Sequence, residues 1–218
     1  MKRILFIIML TVFLNSTVFG TRQIPDKIIY NGKKYELWHS NPMESYFKKY
    51  PEKYPKEDRS SSTALWRGYV ATFEIKGKQL YLSDIEIYTR GKNADSELKW
   101  ESVLNKIFPN QTLKIDWVTG LFVLPVGKIV EEPQRYGDPP TYENYILLEM
   151  DKGVLKKEKQ FGYKEYEDFK KEQFDAFKNT DEYEQIRSNL HKKRFSDESI
   201  NSLIQYSIIE YTTKILVE

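Results

Sequence analysis

The side chains best suited to catalysis in this sequence are carboxylates in or beside segments that alternate as β-strands do. There are six of them: Glu74, Asp84, Glu86, Asp116, Glu143 and Glu149. Glycoside hydrolysis needs only two carboxyl groups, about 5 to 10 Å apart, of which one has a raised pKa. A hydrolase with paired carboxylates is therefore one hypothesis. Acidic side chains on the solvent face of a sheet are the simpler interpretation.

Other catalytic and metal-binding patterns are missing from the sequence. It contains no GxSxG, HExxH, P-loop or GxGxxG motif. The two histidines, His39 and His191, are far apart and share no ligand spacing, and the serine run at 60–62 is typical of a loop. The absence of Cys excludes thiol catalysis, Cys-ligated zinc and iron–sulfur clusters. We expect no metal and no cofactor.

Aromatic residues give the clearest pattern for binding. The chain has 16 Tyr and 4 Trp. Both residue types are enriched at recognition surfaces, because they supply a large contact area with few torsions to fix. Several fall in segments that we expect to be loops: Tyr46, Tyr50, Tyr54, Tyr136 and Tyr142.

The segment 135–143 shows this pattern most sharply. A glycine and two prolines restrain the backbone around Tyr136 and Tyr142, which lowers the entropy cost of binding. Arg135 adds a forked donor or a stacking plane. A stiff connection before an edge strand explains the same residues. The ligand-binding candidates are Arg135, Tyr136, Tyr142 and Glu143 here, and Trp66, Arg67, Asp116 and Trp117 elsewhere. For Asp116, hydrogen bonds to the following Thr-Gly turn are expected before any catalytic role.

The pattern around these residues predicts an α+β domain with a mostly antiparallel sheet. Asn31-Gly32 favours a tight hairpin turn, and Pro125 favours a bulge or an edge position. Apolar residues on both faces of 64–75 suit a central strand. Strands are predicted in the segments 28–38, 64–75, 80–88, 112–118, 121–130, 144–150 and 154–159.

The same pattern predicts one inserted helix and two or three C-terminal helices packed on the sheet. Asp95 or Ser96 would cap the inserted helix, which would run to Phe108, and Pro42 suits a further one or two turns near residue 41. Helical periodicity then begins after Gly162, continues at 181–191, and restarts after an N-cap at Ser196.

Residues 1–20 have the anatomy of a secretory signal peptide. Lys2 and Arg3 precede an apolar run at 4–14, and the residues before position 21 suit a cleavage site. The run is shorter than the roughly 20 residues of a membrane-spanning helix. We expect cleavage and export to the periplasm or the medium, with an uncleaved anchor as the alternative. Residues 21–218 would then form a single domain.

The charge of the chain argues against nucleic-acid binding. The full sequence has 34 basic and 32 acidic residues. Residues 1–20 hold two basic residues and no acidic one, so 21–218 carry 32 of each sign. A chain without net positive charge lacks the field that attracts phosphate backbones. We expect a protein or glycan partner, no nucleic acid and no stable membrane insertion after cleavage. The oligomeric state stays open.

Four strings are similar to segments of a set of uncharacterised exported bacterial proteins of similar length. They are "STALWRGYVATFEI", "GLFVLPVGKIV", "TYENYILLEM" and "KEKQFGYKEY". The resemblance covers most of the chain after residue 20. It implies a bacterial origin, and it carries over no activity, cofactor or functional residue.

These observations favour an exported domain that binds a partner without catalysis, through aromatic loops. A toxin-neutralising immunity or inhibitor protein and a glycan-binding accessory protein are two specific forms of this hypothesis. The alternatives are the cell-envelope hydrolase with paired carboxylates and a structural envelope domain.

Overall fold

Eight strands and six helices occur in the residues that the computed structural model describes, which are 22–55, 63–90, 97–133 and 138–217. The strands are β1 (Asp26–Tyr30), β2 (Lys33–Leu37), β3 (Val70–Lys76), β4 (Gln79–Arg90), β5 (Leu98–Ser102), β6 (Gly120–Glu131), β7 (Thr141–Asp151) and β8 (Val154–Gly162). The helices are α1 (Met43–Lys49), α2 (Leu104–Ile107), α3 (Tyr163–Phe177), α4 (Asp181–Lys192), α5 (Asp197–Tyr206) and α6 (Ile208–Tyr211).

The strands form one mixed sheet in the order β2-β1-β3-β4-β8-β7-β6, and β5 pairs with β4 outside this path. The pair β1–β3 is parallel, and the other strand pairs of the described residues are antiparallel. β2 and β6 are the two ends of the order, and they contact each other, so the sheet curls back on itself. The predicted α+β class with a mostly antiparallel sheet is confirmed.

Two tight turns close hairpins where the sequence predicts them. Asn31 and Gly32 have φ values of 50° and 73°, and Lys152 and Gly153 have φ values of 47° and 72°. Positive φ at both central residues matches the twist of the flanking strands. Gly153 is required for a second reason, because a Cβ atom there would lie 1.6 Å from the carbonyl oxygen of Ile115.

Alternating side chains of β6 divide the interior into two cores. Phe122 and Leu124 pack into a first core with β1, β3, β4 and α1, while Leu121 and Val123 pack against the C-terminal helices. This division follows from the two-residue period of a strand. β3 is buried on both faces, as predicted for 64–75, although it begins only at Val70.

The C-terminal helices confirm the helical periodicity. α3, α4 and α5 occupy the predicted segments, and α6 adds one turn. The Ser196 side chain accepts a hydrogen bond from the backbone N–H of Ser199, so it caps α5 as expected. Ile200, Ile204 and Ile208 are fully buried against the sheet and α3.

The helix predicted from residue 95 or 96 to Phe108 is wrong over most of its length. Residues 98–102 form β5, and only the single turn α2 follows. The reason is cross-strand pairing: Trp100 lies opposite Tyr88 on β4, and their ring centroids are 5.1 Å apart. This pairing outweighs the helical spacing of the apolar residues.

The strand predicted at 112–118 is also wrong. Its backbone runs beside β4, with hydrogen bonds from Leu82 N to Leu113 O and from Ile115 N to Leu80 O, but it forms only an isolated bridge. At its far end, Gly153 N donates to Val118 O. The β7–β8 turn therefore occupies the place where a longer ladder would continue.

Candidate binding cleft

An open cleft of about 1040 Å³ lies where the two ends of the curled sheet meet the C-terminal helices. One wall comes from residues 23–25 and the turn at 66–67, and a second from the end of β2 and residues 38–41. β6, β7 and the segment 138–140 form the third, and α3 with residues 206–210 forms the fourth. This volume lies at the upper end of the range of small-molecule sites, and the cleft is open to solvent.

Six aromatic side chains from five separate segments converge on this cleft. They are Trp38, Trp66, Tyr142, Tyr145, Tyr166 and Tyr206. Trp66 is 75% exposed, and Tyr206 is half exposed. Large apolar rings that stay exposed in a concave site are typical of recognition surfaces.

Trp66 is exposed on a backbone that is firmly held. The backbone N–H of Trp66 donates to Gln23 Oε1, and the backbone N–H of Ile24 donates to Ala64 O. Arg67 Nη2 donates to Ile24 O, and Arg67 Nη1 lies 3.3 Å from Asp26 Oδ2. These contacts join the turn to the segment before β1, so the backbone that carries the Trp66 indole is held in place.

Asp26 and Arg67 form an ion pair behind this wall. The Asp26 side chain is fully buried, and its Oδ1 accepts a hydrogen bond from Ala71 N. Burial raises the pKa of Asp26 to about 6, against the opposing effect of the Arg67 charge. Burial penalises the ionised form of a carboxyl group, which explains the direction.

Tyr142 and Tyr145 form the middle of the β7 wall. Tyr142 O–H donates to Glu36 Oε2 at 3.3 Å, and Tyr142 N donates to Tyr145 Oη at 2.9 Å. The Tyr145 ring stacks on Tyr166 with centroids 4.4 Å apart. Burial raises the pKa of Tyr145, and the charges of Glu167 and Glu131 add to the rise. The phenols therefore stay neutral hydrogen-bonding groups at ordinary pH.

The charge of the cleft is predominantly negative. Among the described residues that line it, six are acidic and two are Arg or Lys: Glu44, Glu131, Glu132, Asp138, Glu167 and Glu210 against Arg67 and Lys170. Lys170 is paired with Glu167, with 2.7 Å between Nζ and Oε1, and Arg67 is paired with Asp26. Glu44 pairs with Lys48, and Glu210 contacts His39, so Glu131, Glu132 and Asp138 are the lining acids without an ion pair among the described residues.

A second, smaller cavity of about 390 Å³ adjoins the cleft. His39 and Glu210 line both cavities, and the distance between His39 Nδ1 and Glu210 Oε1 is 3.1 Å. Trp117 lines only the smaller cavity, where its Nε1–H donates to Pro42 O at 2.8 Å. The indole N–H of Trp117 is therefore already bonded to the protein's own backbone.

The structure brings three of the eight candidate residues together in the cleft: Trp66, Arg67 and Tyr142. Arg135 and Tyr136 lie outside the described residues, although Pro133 and the segment 138–140 beside them line the cleft. The other three candidates, Glu143, Asp116 and Trp117, lie elsewhere.

Glu143 and Asp116 have different surroundings from those that we expected. The carboxylate of Glu143 accepts a hydrogen bond from Lys128 N at 2.9 Å, beside the bulge in β6. Asp116 is exposed and forms no hydrogen bond with the residues that the structure describes, so its predicted bond to the turn is not formed. Thr119 Oγ1 accepts a hydrogen bond from Lys152 N at that turn instead.

The remaining strand carboxylates hold structural contacts away from the cleft. Glu74 pairs with Lys76, and Glu86 pairs with Lys27. Asp84 Oδ1 accepts hydrogen bonds from Ser102 and from its neighbour's backbone N–H. Glu149 is buried and accepts a hydrogen bond from Ile215 N, which fixes the C-terminal segment. None of the six strand carboxylates lines the cleft.

The residues that the structure describes contain neither a candidate metal site nor a candidate membrane-spanning helix. No group of three or more His, Asp and Glu side chains among them is arranged to hold a metal ion. None of the helices among them combines the length and the apolarity needed to cross a lipid bilayer.

No protein-family model, no curated protein and no solved structure matches this chain.

Proposed function

We propose that this protein is an exported, non-catalytic binding protein that holds a macromolecular partner in the cleft. The observation that carries the proposal is the convergence of six aromatic side chains from five segments on one open, preformed site. Exposing a ring such as Trp66 costs solvation free energy that a binding partner would recover. A purely structural domain has no need of such a ring.

The architecture of the cleft favours a macromolecule over a small metabolite. Its walls come from both ends of the sheet and from four helices, α1, α3, α5 and α6, and it is open to solvent. A rigid aromatic anchor surrounded by polar groups resembles the centre of a protein interface, where a few residues dominate the binding energy. A protein inhibitor or immunity protein acts in this way, by occupying its target without chemistry of its own.

A hydrolase that uses this cleft would need carboxylates other than the six strand residues. All six carboxylates on which it was based lie outside the cleft, and five of them, all but Asp116, hold structural contacts there. Asp26 has a raised pKa, but its side chain is fully buried behind Arg67 and cannot reach a ligand in the cleft. A hydrolase would therefore use two of the acids that line the cleft, such as Glu131 and Glu210.

Photo-crosslinking in cells of the native host tests the proposal directly. A photoreactive amino acid replaces Trp66 in the cleft or, as a matched control, Trp100, an exposed tryptophan on β5 outside the cleft. We expect a specific adduct from position 66 and none of the same mass from position 100. The same adduct from both positions, or no adduct from position 66, would contradict the binding function.

A further inference from the structure

We infer that the ligand of the cleft is a positively charged, extended polypeptide segment of a protein partner. This inference rests on the proposed function and names the chemistry of the partner. Three features carry it: carboxylates without an ion-pair partner among the described residues, the edge of β6 that β2 approaches without strand pairing, and exposed aromatic faces.

The first feature is a group of three carboxylates that have no counter-charge among the residues that the structure describes. Glu131, Glu132 and Asp138 line the cleft where β6 ends and β7 is about to begin. They form no ion pair with any other residue that the structure describes, whereas Glu44 and Glu167 pair with lysines. Like charges held close together repel each other, and a cationic ligand removes that repulsion.

The charged groups around Trp38 do not offset this charge. Arg22 lies over the Trp38 ring, with its guanidinium carbon 5.9 Å from the ring centroid. Glu36 Oε2 accepts a hydrogen bond from Trp38 Nε1. Arg22 and Glu36 thus contribute one charge of each sign. These two charges balance each other, so they leave the negative charge of Glu131, Glu132 and Asp138 uncompensated.

The second feature is the edge of the sheet. β6 is the last strand in the order, and β7 is its only hydrogen-bonded strand neighbour among the described residues. β2 contacts β6 without strand pairing, and Val123, Pro125 and Glu131 of β6 line the cleft. An edge strand offers backbone N–H and C=O groups to which an extended peptide can add. Pro125 removes one donor, which leaves room for a short pairing and not for a long ladder.

The third feature is the aromatic lining. The protein already places cations over rings here, because Lys170 Nζ lies 5.1 Å from the Tyr166 centroid. Trp66 offers a more exposed face, and an indole is the strongest cation–π partner among side chains. A Lys or Arg of the partner would thus find a ring and a carboxylate within one cleft. A neutral glycan would use the rings and leave the three carboxylates unpaired.

A titration of residues 21–218, followed by NMR, tests this inference. The probe is an acetylated ten-residue peptide that alternates Lys and Thr. The matched probes are the Glu-Thr peptide of equal length and the neutral sugar chitohexaose. The indole N–H signals of Trp38 and Trp66 report on the cleft, and that of Trp100 is the internal control. We expect the Lys-Thr peptide alone to shift the two cleft signals, with an affinity that falls as salt is added.

Two triple variants then separate the cleft carboxylates from net charge. Glu131→Gln/Glu132→Gln/Asp138→Asn removes the three unpaired acids, and Glu97→Gln/Asp116→Asn/Glu172→Gln removes three exposed acids outside the cleft. We expect the first variant to bind the Lys-Thr peptide roughly tenfold more weakly and the second to bind it within about twofold of the parent. All six side chains lie at the surface or the rim, so matching unfolding curves confirm that both variants fold.

Three results would overturn the inference: no shift of Trp38 and Trp66 with the Lys-Thr peptide, an equal shift with the acidic peptide or the sugar, or an equal loss in both variants. A shift with chitohexaose alone would retain the cleft as a binding site and change the class of its ligand. The absence of a crosslink at position 66 would instead remove the binding function itself.

Discussion

The protein contains two aromatic clusters that look alike in the sequence and differ in the structure. The closed cluster surrounds α1 and comprises Tyr46, Phe47, Tyr54, Tyr69, Phe108 and Trp117. The open cluster is the cleft lining described above. In the closed cluster the polar atoms of the rings are turned to partners inside the protein: Tyr54 O–H donates to Arg67 O, and Tyr69 O–H donates to Asn41 Oδ1 at 3.1 Å.

The difference between the clusters lies in what surrounds the rings. In the closed cluster, Phe47 packs edge-to-face against Tyr54 and Tyr69, with centroids 5.3 and 5.2 Å away. In the open cluster, Trp66 has its backbone fixed and its ring in solvent. The first arrangement stabilises the fold, and the second is available to a partner. Aromatic residues in Pro-rich segments therefore indicate function only where the ring remains exposed.

The largest expected effect concerns the closed cluster. Phe47→Ala removes a ring that is 4% exposed and leaves a cavity, so the free energy of unfolding should fall by about 3–5 kcal/mol. Trp66→Ala, the matched change in the open cluster, should alter it by less than about 0.5 kcal/mol. Urea unfolding followed by circular dichroism measures both. Similar losses for the two variants would abolish the distinction between the clusters.

The next effect concerns Asp26, whose partner Arg67 contacts both clusters. Burial raises the pKa of Asp26 from 3.8 to about 6 on folding. The folded state therefore binds the proton more tightly than the unfolded state, so Asp26 favours folding at low pH. That contribution is lost as the pH rises from about 4 to about 6, by roughly 3 kcal/mol at about 1.4 kcal/mol per pKa unit.

Asp26→Asn tests the sign of this effect. Unfolding free energies of the parent and the variant are measured between pH 4 and pH 7 with all other conditions fixed. Relative to Asp26→Asn, the parent should lose stability as the pH rises through this window. Parallel curves, or a parent that gains stability over the window, would show that the buried carboxyl does not titrate as described.

The smallest effect separates the hydroxyl groups of the two clusters. Tyr69→Phe removes a hydrogen bond from a buried ring and leaves Asn41 Oδ1 with one donor fewer, which should cost about 1 kcal/mol. Tyr142→Phe removes a longer, exposed hydrogen bond to Glu36 and should cost less than about 0.5 kcal/mol. Thermal unfolding of the two variants compares them. A larger loss of stability in Tyr142→Phe than in Tyr69→Phe would contradict the assignment of Tyr69 to the closed cluster and Tyr142 to the open one.

Local signals in the sequence predicted much of the fold. Asn31-Gly32 specified its hairpin, Ser196 specified the start of α5, and the apolar spacing after Gly162 specified α3. Pro125 was expected at a bulge or an edge, and β6 is an end strand with a bulge just after it. These features depend on short-range chemistry, which is why a single sequence contains them.

The errors arose where long-range pairing decides the outcome. Residues 98–102 have the spacing of a helix, yet β4 is long enough to pair with them, and Trp100 gains a cross-strand partner in Tyr88. The segment 112–118 alternates like a strand, yet the backbone N–H of Gly153 donates to Val118 O in place of a neighbouring strand. Neither competing partner is near in sequence, so local patterns carry no signal for either outcome.

The cleft itself was only partly predictable. Trp66, Arg67 and Tyr142 were candidates because of their residue types, but their convergence depends on how the sheet curls. Trp38 and Tyr206 were missed, since they come from opposite ends of the chain. Tyr46 and Tyr54 were counted with the exposed loop tyrosines and instead pack against the first core. Only the tertiary structure distinguishes the two outcomes.

The most direct test of the account measures binding and stability on the same variant. The partner captured by crosslinking at position 66 is purified and titrated calorimetrically against the parent protein and Trp66→Ala/Tyr142→Ala. We predict that the double variant binds at least about tenfold more weakly while its unfolding free energy stays within about 1 kcal/mol of the parent. Equal affinity for the two proteins would contradict the account, because the exposed aromatic cleft would then have no part in recognition.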